Sequence, residues 1–167
     1  IGVGNMVAEV IPAIVSHSLR DDKKVRLIDT SSVSQNEHLV AQGIVEGAEY
    51  LAQSGISKVE VHVITKVWYT HLGYERTMVA VEESIQNLKP AIDHPNVDLK
   101  LHVMIHWPRC YETIPWMDCE GEENLLPDEI KKLSPPPHTD KVNAWKGSWK
   151  ALEKLFQDSD NPVTSIG

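Results

Sequence analysis

Short runs of apolar residues, many of them β-branched, alternate along the chain with stretches in which apolar residues recur every three or four positions. The short runs predict β-strands at residues 1–3, 25–28, 59–65, 99–105 and 163–166. The helix-period stretches predict a helix over residues 7–19, a second over residues 36–53 with Asn36 as its N-cap, and two more further along. This alternation of strand and helix predicts a parallel sheet with helices packed outside it.

The two later helices have defined apolar faces. The face of the first contains Met78, Val81, Ile85 and Leu88. The face of the second contains Trp145, Trp149, Leu152 and Phe156. We expect both tryptophans of the second face to lie in the core.

Residues 109–142 interrupt the alternation. They contain "CEGEEN", "PDE" and "SPPPH", with only a weak helical signal at residues 127–133. The stretch follows the fourth predicted strand, and the carboxyl ends of parallel strands carry the binding sites of α/β folds. It is interpreted either as a tolerated surface insertion or as a substrate lid or specificity loop. The charged residues 20–24, in contrast, predict a short solvated turn.

Composition restricts the class of protein. Apolar residues make up 41% and charged residues 24% of the 167, as expected for one globular domain with its own core. The net charge of −8 argues against binding to nucleic acid or to an anionic membrane. No apolar run approaches the ~18 residues of a membrane span. Cys110 and Cys119 are too few for a disulfide-rich scaffold, so we expect a cytoplasmic chain with two free thiols.

The two ends predict that the chain is part of a longer one. It starts at Ile1 and not at Met, so any targeting segment would lie out of view. The last residues, "NPVTSIG", form a turn and the opening of an apolar strand.

Three ionisable residues lie at the carboxyl ends of successive predicted strands. Asp29 follows "VRLI", Lys66 follows "HVIT" and His106 follows "HVMI". A carboxylate that closes a buried strand costs solvation free energy unless another group pairs with it. Because parallel strands end at the same edge of a sheet, we expect the acid, the base and the imidazole to share one site.

Four blocks of the sequence resemble consecutive motifs of the aldo-keto reductase family. They are "LIDTSSVSQNE", "VITKVW", "MIHWP" and "WKALEKLFQDSDNPVTSIG", and they occur in the family's order over nearly the whole chain. On these motifs the chain is identified as a member of that family.

The resemblance implies an α/β fold, a partial (β/α)8 TIM barrel. Residues 1–167 would be the N-terminal half of that domain, with four strand–helix units and the start of the fifth strand. A complete barrel typically has ~250 residues. The rest of the barrel is expected to be needed for stability, since half a barrel leaves two sheet edges unpaired.

The resemblance also implies an NADP(H)-dependent oxidoreductase that reduces small aldehydes or ketones to alcohols. In the family a tyrosine protonates the carbonyl oxygen, and a lysine cation lowers the pKa of that tyrosine. Lys66 matches this lysine, Asp29 the carboxylate that holds it, and His106 the histidine that orients the substrate oxygen. The family's cofactor-binding positions are matched by Gly4, Asn5 and Asp29. Its substrate-binding positions are matched by Trp68, His106 and Trp107.

The position of the family's acid departs from the pattern. Ser34 stands five residues after Asp29, where the family has tyrosine. A serine hydroxyl has no accessible pKa for general acid catalysis and is shorter than a phenol, so we expect a reductase weakened by up to ~10²–10⁴-fold. Tyr69 and Tyr111 are the nearest stand-ins, although the family uses neither position. For the 167 residues alone we expect no turnover.

The fourth strand departs as well. The family has an aspartate five residues before the histidine, and here that position is Leu101. Asp98 lies three residues too early. Either the strand carries an insertion or the aspartate is absent.

Two other patterns are weak. "IGVG" ahead of a helix resembles a dinucleotide-binding glycine loop, but Val7 stands where the third glycine is required. His102 and His106 would pair as metal ligands on a helix, whereas on a strand they lie ~13 Å apart, so we expect no metal site.

Two functions from different classes therefore stay open. The combination of Asp29, Lys66 and His106 favours an NADPH-dependent carbonyl reductase. Ser34 favours a non-catalytic, aldo-keto-reductase-like binding or regulatory protein.

Overall fold

A computed structural model describes residues 1–20 and 23–167 of the chain. In these residues, parallel strands pair side by side in the order in which they occur along the chain. They are β1 (Leu27–Asp29), β2 (Val59–Val67), β3 (Val97–Ile105) and β4 (Val163–Ile166). The expected alternation of strands and helices around a parallel sheet is confirmed.

Helices connect the strands. They are α1 (Ile11–Leu19), α2 (Glu37–Gln53), α3 (Tyr74–Ile92), α4 (Cys119–Leu125), α5 (Asp128–Lys131) and α6 (Ala144–Gln157). Single 3-10 turns occur at Ala8–Val10, Ser32–Ser34, Tyr69–His71 and Pro137–Thr139. The stretch expected to be a long loop, residues 109–142, therefore contains two short helices.

Strand periodicity separates the two faces of the sheet. Every second residue is buried from Val59 to Val67 in β2 and from Val97 to Val103 in β3, and the apolar ones pack with α1, α2, α3 and α6 in the main core. The residues between them point to the other face, which the helices do not cover. β2 and β3 pair without interruption from Val59–Val97 to Val67–Ile105.

Some predicted element bounds differ from the structure. Residues 1–3 form only one isolated bridge, between Gly2 and Asp29, and not a strand. The strand predicted at residues 25–28 is β1, which begins at Leu27 and includes Asp29. The strand predicted at residues 59–65 is β2, which continues to Val67, so Asp29 and Lys66 both lie within strands. Of the expected turn at residues 20–24, positions 21 and 22 lie outside the described residues.

The expected burial of two tryptophans of α6 is wrong. Trp145 is 37% exposed and Trp149 is only partly buried, whereas Ser148 and Ala151 are fully buried. The reason is a close approach at Gly147, where a Cβ atom would lie 2.9 Å from the backbone nitrogen of Tyr74. Only small side chains fit against α3 there, so the face with the indoles turns outward.

In the described residues, no helix is both long enough and apolar enough to cross a membrane.

Candidate active site

The sheet places Asp29, Lys66 and His106 on its open face, at the carboxyl ends of the strands. On β1 and β2, the buried neighbours Ile28, Thr65 and Val67 face the helices, so Asp29 and Lys66 face away from them. His106 directly follows β3, and its backbone N–H donates to the carbonyl oxygen of Val67 at 3.0 Å. The three side chains therefore belong to one mouth.

Asp29 and Lys66 form an ion pair across the first two strands. The Nζ of Lys66 lies 2.8 Å from Oδ1 of Asp29 and donates to the carbonyl oxygen of Thr30 at 2.7 Å. Lys66 is 16% exposed and Asp29 46% exposed, so the pair reaches the solvent at the mouth. An ammonium has three donors, and the third has no partner within residues 1–20 and 23–167.

His106 lies against an indole and close enough to the ion pair to sense its charges. Its ring meets the ring of Trp68 edge-on, with centroids 4.9 Å apart. Its Nδ1 atom is buried and has no hydrogen-bond partner in the described part of the chain. Burial lowers the pKa of His106, the positive charge of Lys66 lowers it further, and Asp29 opposes the shift. The neutral imidazole is therefore the dominant form at pH 7.

The hydroxyl-rich segment after β1 fixes the rim of the mouth. Ser32 donates from its hydroxyl to the carbonyl oxygen of Lys66 at 2.9 Å, which ties this segment to β2. The hydroxyls of Ser31 and Ser34 are hydrogen-bonded to each other at 2.8 Å. A Cβ atom on Gly4 would lie 3.3 Å from the hydroxyl oxygen of Ser34. The Ser34 side chain is therefore engaged within the rim.

A buried polar network below the rim was missed by the sequence analysis. Asn36 occupies the expected N-cap position of α2, but its side chain makes no capping bond. It accepts from the Thr30 hydroxyl at 2.6 Å and donates to the Val3 carbonyl at 3.0 Å. Glu37, which is also buried, accepts from the Thr65 hydroxyl at 2.6 Å. The available signal was an Asn-Glu pair at a helix start next to a strand that contains a threonine.

Hydrogen bonds to β1 place Gly4 and Asn5 at the same mouth. The backbone N–H of Val3 donates to the carbonyl oxygen of Asp29 at 2.9 Å, and the Asp29 N–H donates to that of Ile1 at 2.8 Å. Gly4 and Asn5 follow directly as an exposed turn.

Trp68 and Trp107 line the mouth beside His106. Trp68 follows β2, and its Nε1 donates to Oε2 of Glu122 on α4 at 2.6 Å. The rings of His106 and Trp107 are stacked, with centroids 6.4 Å apart. Residues 109–142 thus contact the candidate site through α4, which favours the lid or specificity-loop interpretation over a neutral insertion.

The expectation of two free thiols is wrong. Cys110 and Cys119 form a disulfide, with Cα atoms 5.8 Å apart. Both are buried in a second apolar cluster with Tyr69, Leu72 and Met117. The disulfide removes the support that free thiols gave to a cytoplasmic location, since disulfides persist mainly in oxidising compartments.

A cavity lies beside the mouth. Its volume is about 520 Å³, and it lies between the segment after β1, α3, and the two short helices α4 and α5. Trp68 and Ser32 belong to its wall, whereas Asp29, Lys66 and His106 do not. The cavity is thus separated from the ion pair by the rim and the Trp68 indole.

No protein-family model matches the chain. Curated proteins do: the oxidoreductase YtbE of Bacillus subtilis (strain 168) is 35% identical over 155 residues, 93% of this chain and 38% of that protein. The 9,11-endoperoxide prostaglandin H2 reductase of Trypanosoma cruzi is 42% identical over 142 residues, 85% of this chain and 33% of that protein. The glyoxal reductase of Bacillus subtilis is 29% identical over 98% of this chain and 40% of its own length.

The chain belongs to the aldo-keto reductase family, whose name two further relatives from Mycobacterium carry at 33% and 35% identity. It spans at most two fifths of the length of these curated relatives. Solved aldo-keto reductases share the fold: aldose reductase from Giardia lamblia superimposes with a TM-score of 0.65 at 20% identity, over 100% of this chain and 47% of that one. The enzyme from Bombyx mori in complex with NADP gives 0.56 at 20% identity, over 99% and 43%. The expected partial (β/α)8 barrel is confirmed.

The position of the aldo-keto reductase aspartate on β3 holds an apolar residue in this chain. β3 pairs with β2 without a register shift. The position five residues before His106 holds Leu101, which is fully buried, while Asp98 pairs with Lys100 at 3.0 Å. No carboxylate therefore lies five residues before His106, and both the insertion and the loss of the aspartate stay predictions.

Of the two stand-ins for the aldo-keto reductase tyrosine, Tyr69 is disfavoured. It is 2% exposed, and burial together with the Glu122 carboxylate raises its pKa. Such a phenol is a weaker acid than a solvated one. Tyr111 is partly buried next to Trp107, with the Arg109 guanidinium 4.6 Å from the centre of its ring.

His102 and His106 have the spacing of a metal-binding pair on a helix, but here their side chains contact different residues. His102 stacks on His62 and is hydrogen-bonded to it at 2.8 Å, whereas His106 packs against Trp68. In the described part of the chain, no three His, Cys, Asp or Glu side chains are grouped to hold a metal ion.

Proposed function

We propose that the chain supplies the first four strand–helix units of an NADP(H)-dependent carbonyl reductase that acts on small aldehydes or ketones. The observation that carries the proposal is the Lys66–Asp29 ion pair at 2.8 Å, at the same mouth as His106. Relatives support the proposal through their names, which include glyoxal reductase and methylglyoxal reductase.

Two features of the mouth fit a nicotinamide cofactor. The Lys66 ammonium reaches the solvent at the mouth and has a third donor without a partner within residues 1–20 and 23–167, so a ligand at this mouth can accept from it. Gly4 has no side chain to crowd the rim at Ser34. Gly4, Asn5 and Asp29 are the residues that would hold the cofactor. When bound, a reduced nicotinamide supplies the hydride that reduces a carbonyl carbon.

The side chains of the chain itself would act on the carbonyl oxygen. The Lys66 ammonium is fixed by Asp29 and Thr30, and its remaining N–H can donate to a developing alkoxide. Neutral His106 can donate from one ring nitrogen and so orient the same oxygen. Ser34 offers no acid at neutral pH, so we expect slow proton delivery.

The proposal is tested with the chain joined to the C-terminal part of YtbE, the Bacillus subtilis relative that is 35% identical to it. NADPH oxidation with methylglyoxal is followed at saturating cofactor, and NADPH affinity is measured separately. We expect NADPH binding and slow turnover, an increase of about 10²-fold or more for Ser34→Tyr, and loss of turnover for Lys66→Met. Lys89→Met is the matched control, since Lys89 lies on α3 in an exposed pair with Asp93.

Each result separates the alternatives. Ordinary turnover by the serine form would contradict the argument about the missing acid. Failure of the fusion protein to bind NADPH would exclude the reductase.

A second candidate is a non-catalytic binding or regulatory member of the family, because the hydroxyl of Ser34 is hydrogen-bonded to Ser31 and not directed as an acid. NADPH binding without turnover in both the serine and the tyrosine form would favour it.

A further inference from the structure

Aromatic side chains surround His106 at the mouth of the sheet. Trp116 stacks on Trp68 with ring centroids 6.4 Å apart and meets Trp107 edge-on at 5.9 Å. Trp68 meets His106 at 4.9 Å, and Trp107 stacks on it at 6.4 Å. Two indoles therefore border the side chain that would orient a carbonyl oxygen, and Trp116 packs on both of them.

Trp116 is the outermost of these indoles, and it is 58% exposed. An exposed indole face is a large apolar surface, and covering it with an apolar ring favours binding. Trp68 and Trp107 are each partly buried. The exposed surface of the cluster is thus concentrated on a residue from the long loop.

The segment that carries Trp116 is held in place at both ends. The disulfide between Cys110 and Cys119 closes it, and both cysteines are buried. Within it, Ile114 and Met117 make backbone hydrogen bonds to Tyr111 and Ile114, at 2.9 and 3.0 Å. Because the loop is closed covalently and packed from below, Trp116 is held in position before a ligand arrives.

The indole that Trp116 stacks on is fixed as well. Trp68 donates to Glu122 at 2.6 Å, and the next residue, Glu123, forms a buried ion pair with Arg76 at 2.8 Å. The stacked pair is therefore a rigid wall.

We propose that Trp116 is a specificity-determining residue that selects carbonyl compounds bearing an aromatic ring over short aliphatic ones. The proposal rests on the proposed reductase function, since it assigns the substrate class of that site. The aromatic ring of the substrate packs on Trp116 and Trp68, and its carbonyl oxygen points towards His106 and Lys66. A substrate with a methyl group in place of the ring would leave most of the Trp116 face exposed, so contact with Trp116 would add little to its binding free energy.

Binding is tested on the fusion protein with the C-terminal part of YtbE, in which the barrel is complete, with two unreactive carbonyl compounds, benzamide and acetamide. The five tryptophans of this chain give indole N–H signals in nitrogen-15 NMR spectra, and two of them, Trp145 and Trp149, lie on α6 as internal controls. We expect benzamide to shift the signals of Trp68, Trp107 and Trp116 and to leave the two controls in place. Acetamide is expected to shift none at the same concentration.

Variants assign the effect to the Trp116 ring. We expect Trp116→Ala to weaken benzamide binding by about tenfold and Trp116→Phe to retain most of it. Trp145→Ala removes another exposed indole and should leave benzamide affinity unchanged. Benzamide shifts in all five indole signals or in none, or equal affinity of Trp116→Ala and the parent, would overturn the proposal.

Turnover by the fusion protein separates this proposal from the proposed function. Phenylglyoxal and methylglyoxal share the dicarbonyl group and differ in phenyl against methyl. We expect kcat/KM to favour phenylglyoxal and Trp116→Ala to reduce that preference by about tenfold, with methylglyoxal within twofold of the parent. Turnover of both with no preference refutes the role of Trp116 and keeps the reductase. Trp116-dependent benzamide binding with no turnover of either compound refutes the reductase and keeps the aromatic site.

Discussion

A buried ion pair between Arg76 and Glu123 joins the long loop to α3. Arg76 is fully buried and the Glu123 side chain is 6% exposed. The guanidinium donates to both carboxylate oxygens, at 2.8 and 2.9 Å, and also to the carbonyl oxygens of Thr70 and Ser134, each at 2.9 Å. One side chain therefore connects α3, α4, the turn after β2 and the segment after α5.

Replacing this side chain with an apolar one should be among the most destabilising changes available in the chain. Arg76→Met removes these four hydrogen bonds and leaves the Glu123 carboxylate buried without its partner. Breaking a buried pair in this way costs about 3–5 kcal/mol, a large share of the 5–15 kcal/mol by which domains are typically stable. Urea unfolding followed by circular dichroism and by tryptophan fluorescence measures this loss.

Two further variants make the reasoning refutable. Lys89→Met breaks the exposed pair with Asp93 on the same helix and should cost at most about 0.5 kcal/mol. Arg76→Met combined with Glu123→Leu removes both charges, so the double variant should regain much of the stability that Arg76→Met loses. If Arg76→Met costs no more than Lys89→Met, or if the double variant is no more stable than Arg76→Met, the pair does not hold the loop.

Three other changes have defined outcomes. Gly43→Ala would place a Cβ atom 2.6 Å from the carbonyl oxygen of Pro12, so urea unfolding should show a loss of about 1–3 kcal/mol, and an unchanged midpoint would contradict the close packing of α1 on α2. Replacing both Cys110 and Cys119 with alanine opens a loop with a sequence separation of 9, which should cost about 2–3 kcal/mol, whereas equal stability of the parent with and without reductant would argue that the bond is not formed. Burial and the charge of Arg76 lower the pKa of His71, so below pH 6.5 the unfolded chain binds the proton more readily than the folded one. The free energy of unfolding should therefore fall from pH 7.5 to pH 5.5, less steeply in His71→Gln, and equal slopes would refute the assignment.

The regular part of the fold was accessible from the sequence because its signals are local. Buried positions that alternate in β2 and β3 follow from the strand period, and Val81 and Leu88 in α3 follow from the helix period. The placement of Asp29 and Lys66 at one mouth follows from the rule that parallel strands end at the same edge.

The remainder depended on contacts between residues distant in sequence. The large apolar side chain of Trp145 predicted a position in the core, but the space between α6 and α3 near Gly147 admits only small residues. Arg76 is polar and would be placed outside by pattern alone, yet its partner Glu123 lies 47 residues away in a segment with little periodicity. The disulfide between Cys110 and Cys119 needs a Cα separation of 5.8 Å, which no local pattern encodes.

The open face of the sheet has the composition expected of a barrel interior. Next to the mouth it carries the charged pair of Asp29 and Lys66, and further along the strands a groove of about 480 Å³ is lined by both polar and apolar residues. In that groove His62 bonds to His102 at 2.8 Å, and His102 bonds to Ser165 at 2.6 Å, so the polar groups satisfy one another across three strands. TIM barrels fill this interior with side chains from alternate strand positions and keep their reactive groups at the carboxyl ends. The division of the face into a charged mouth and an internally satisfied groove therefore follows from the barrel architecture, and it separates the residues that can act on a ligand from those that support them.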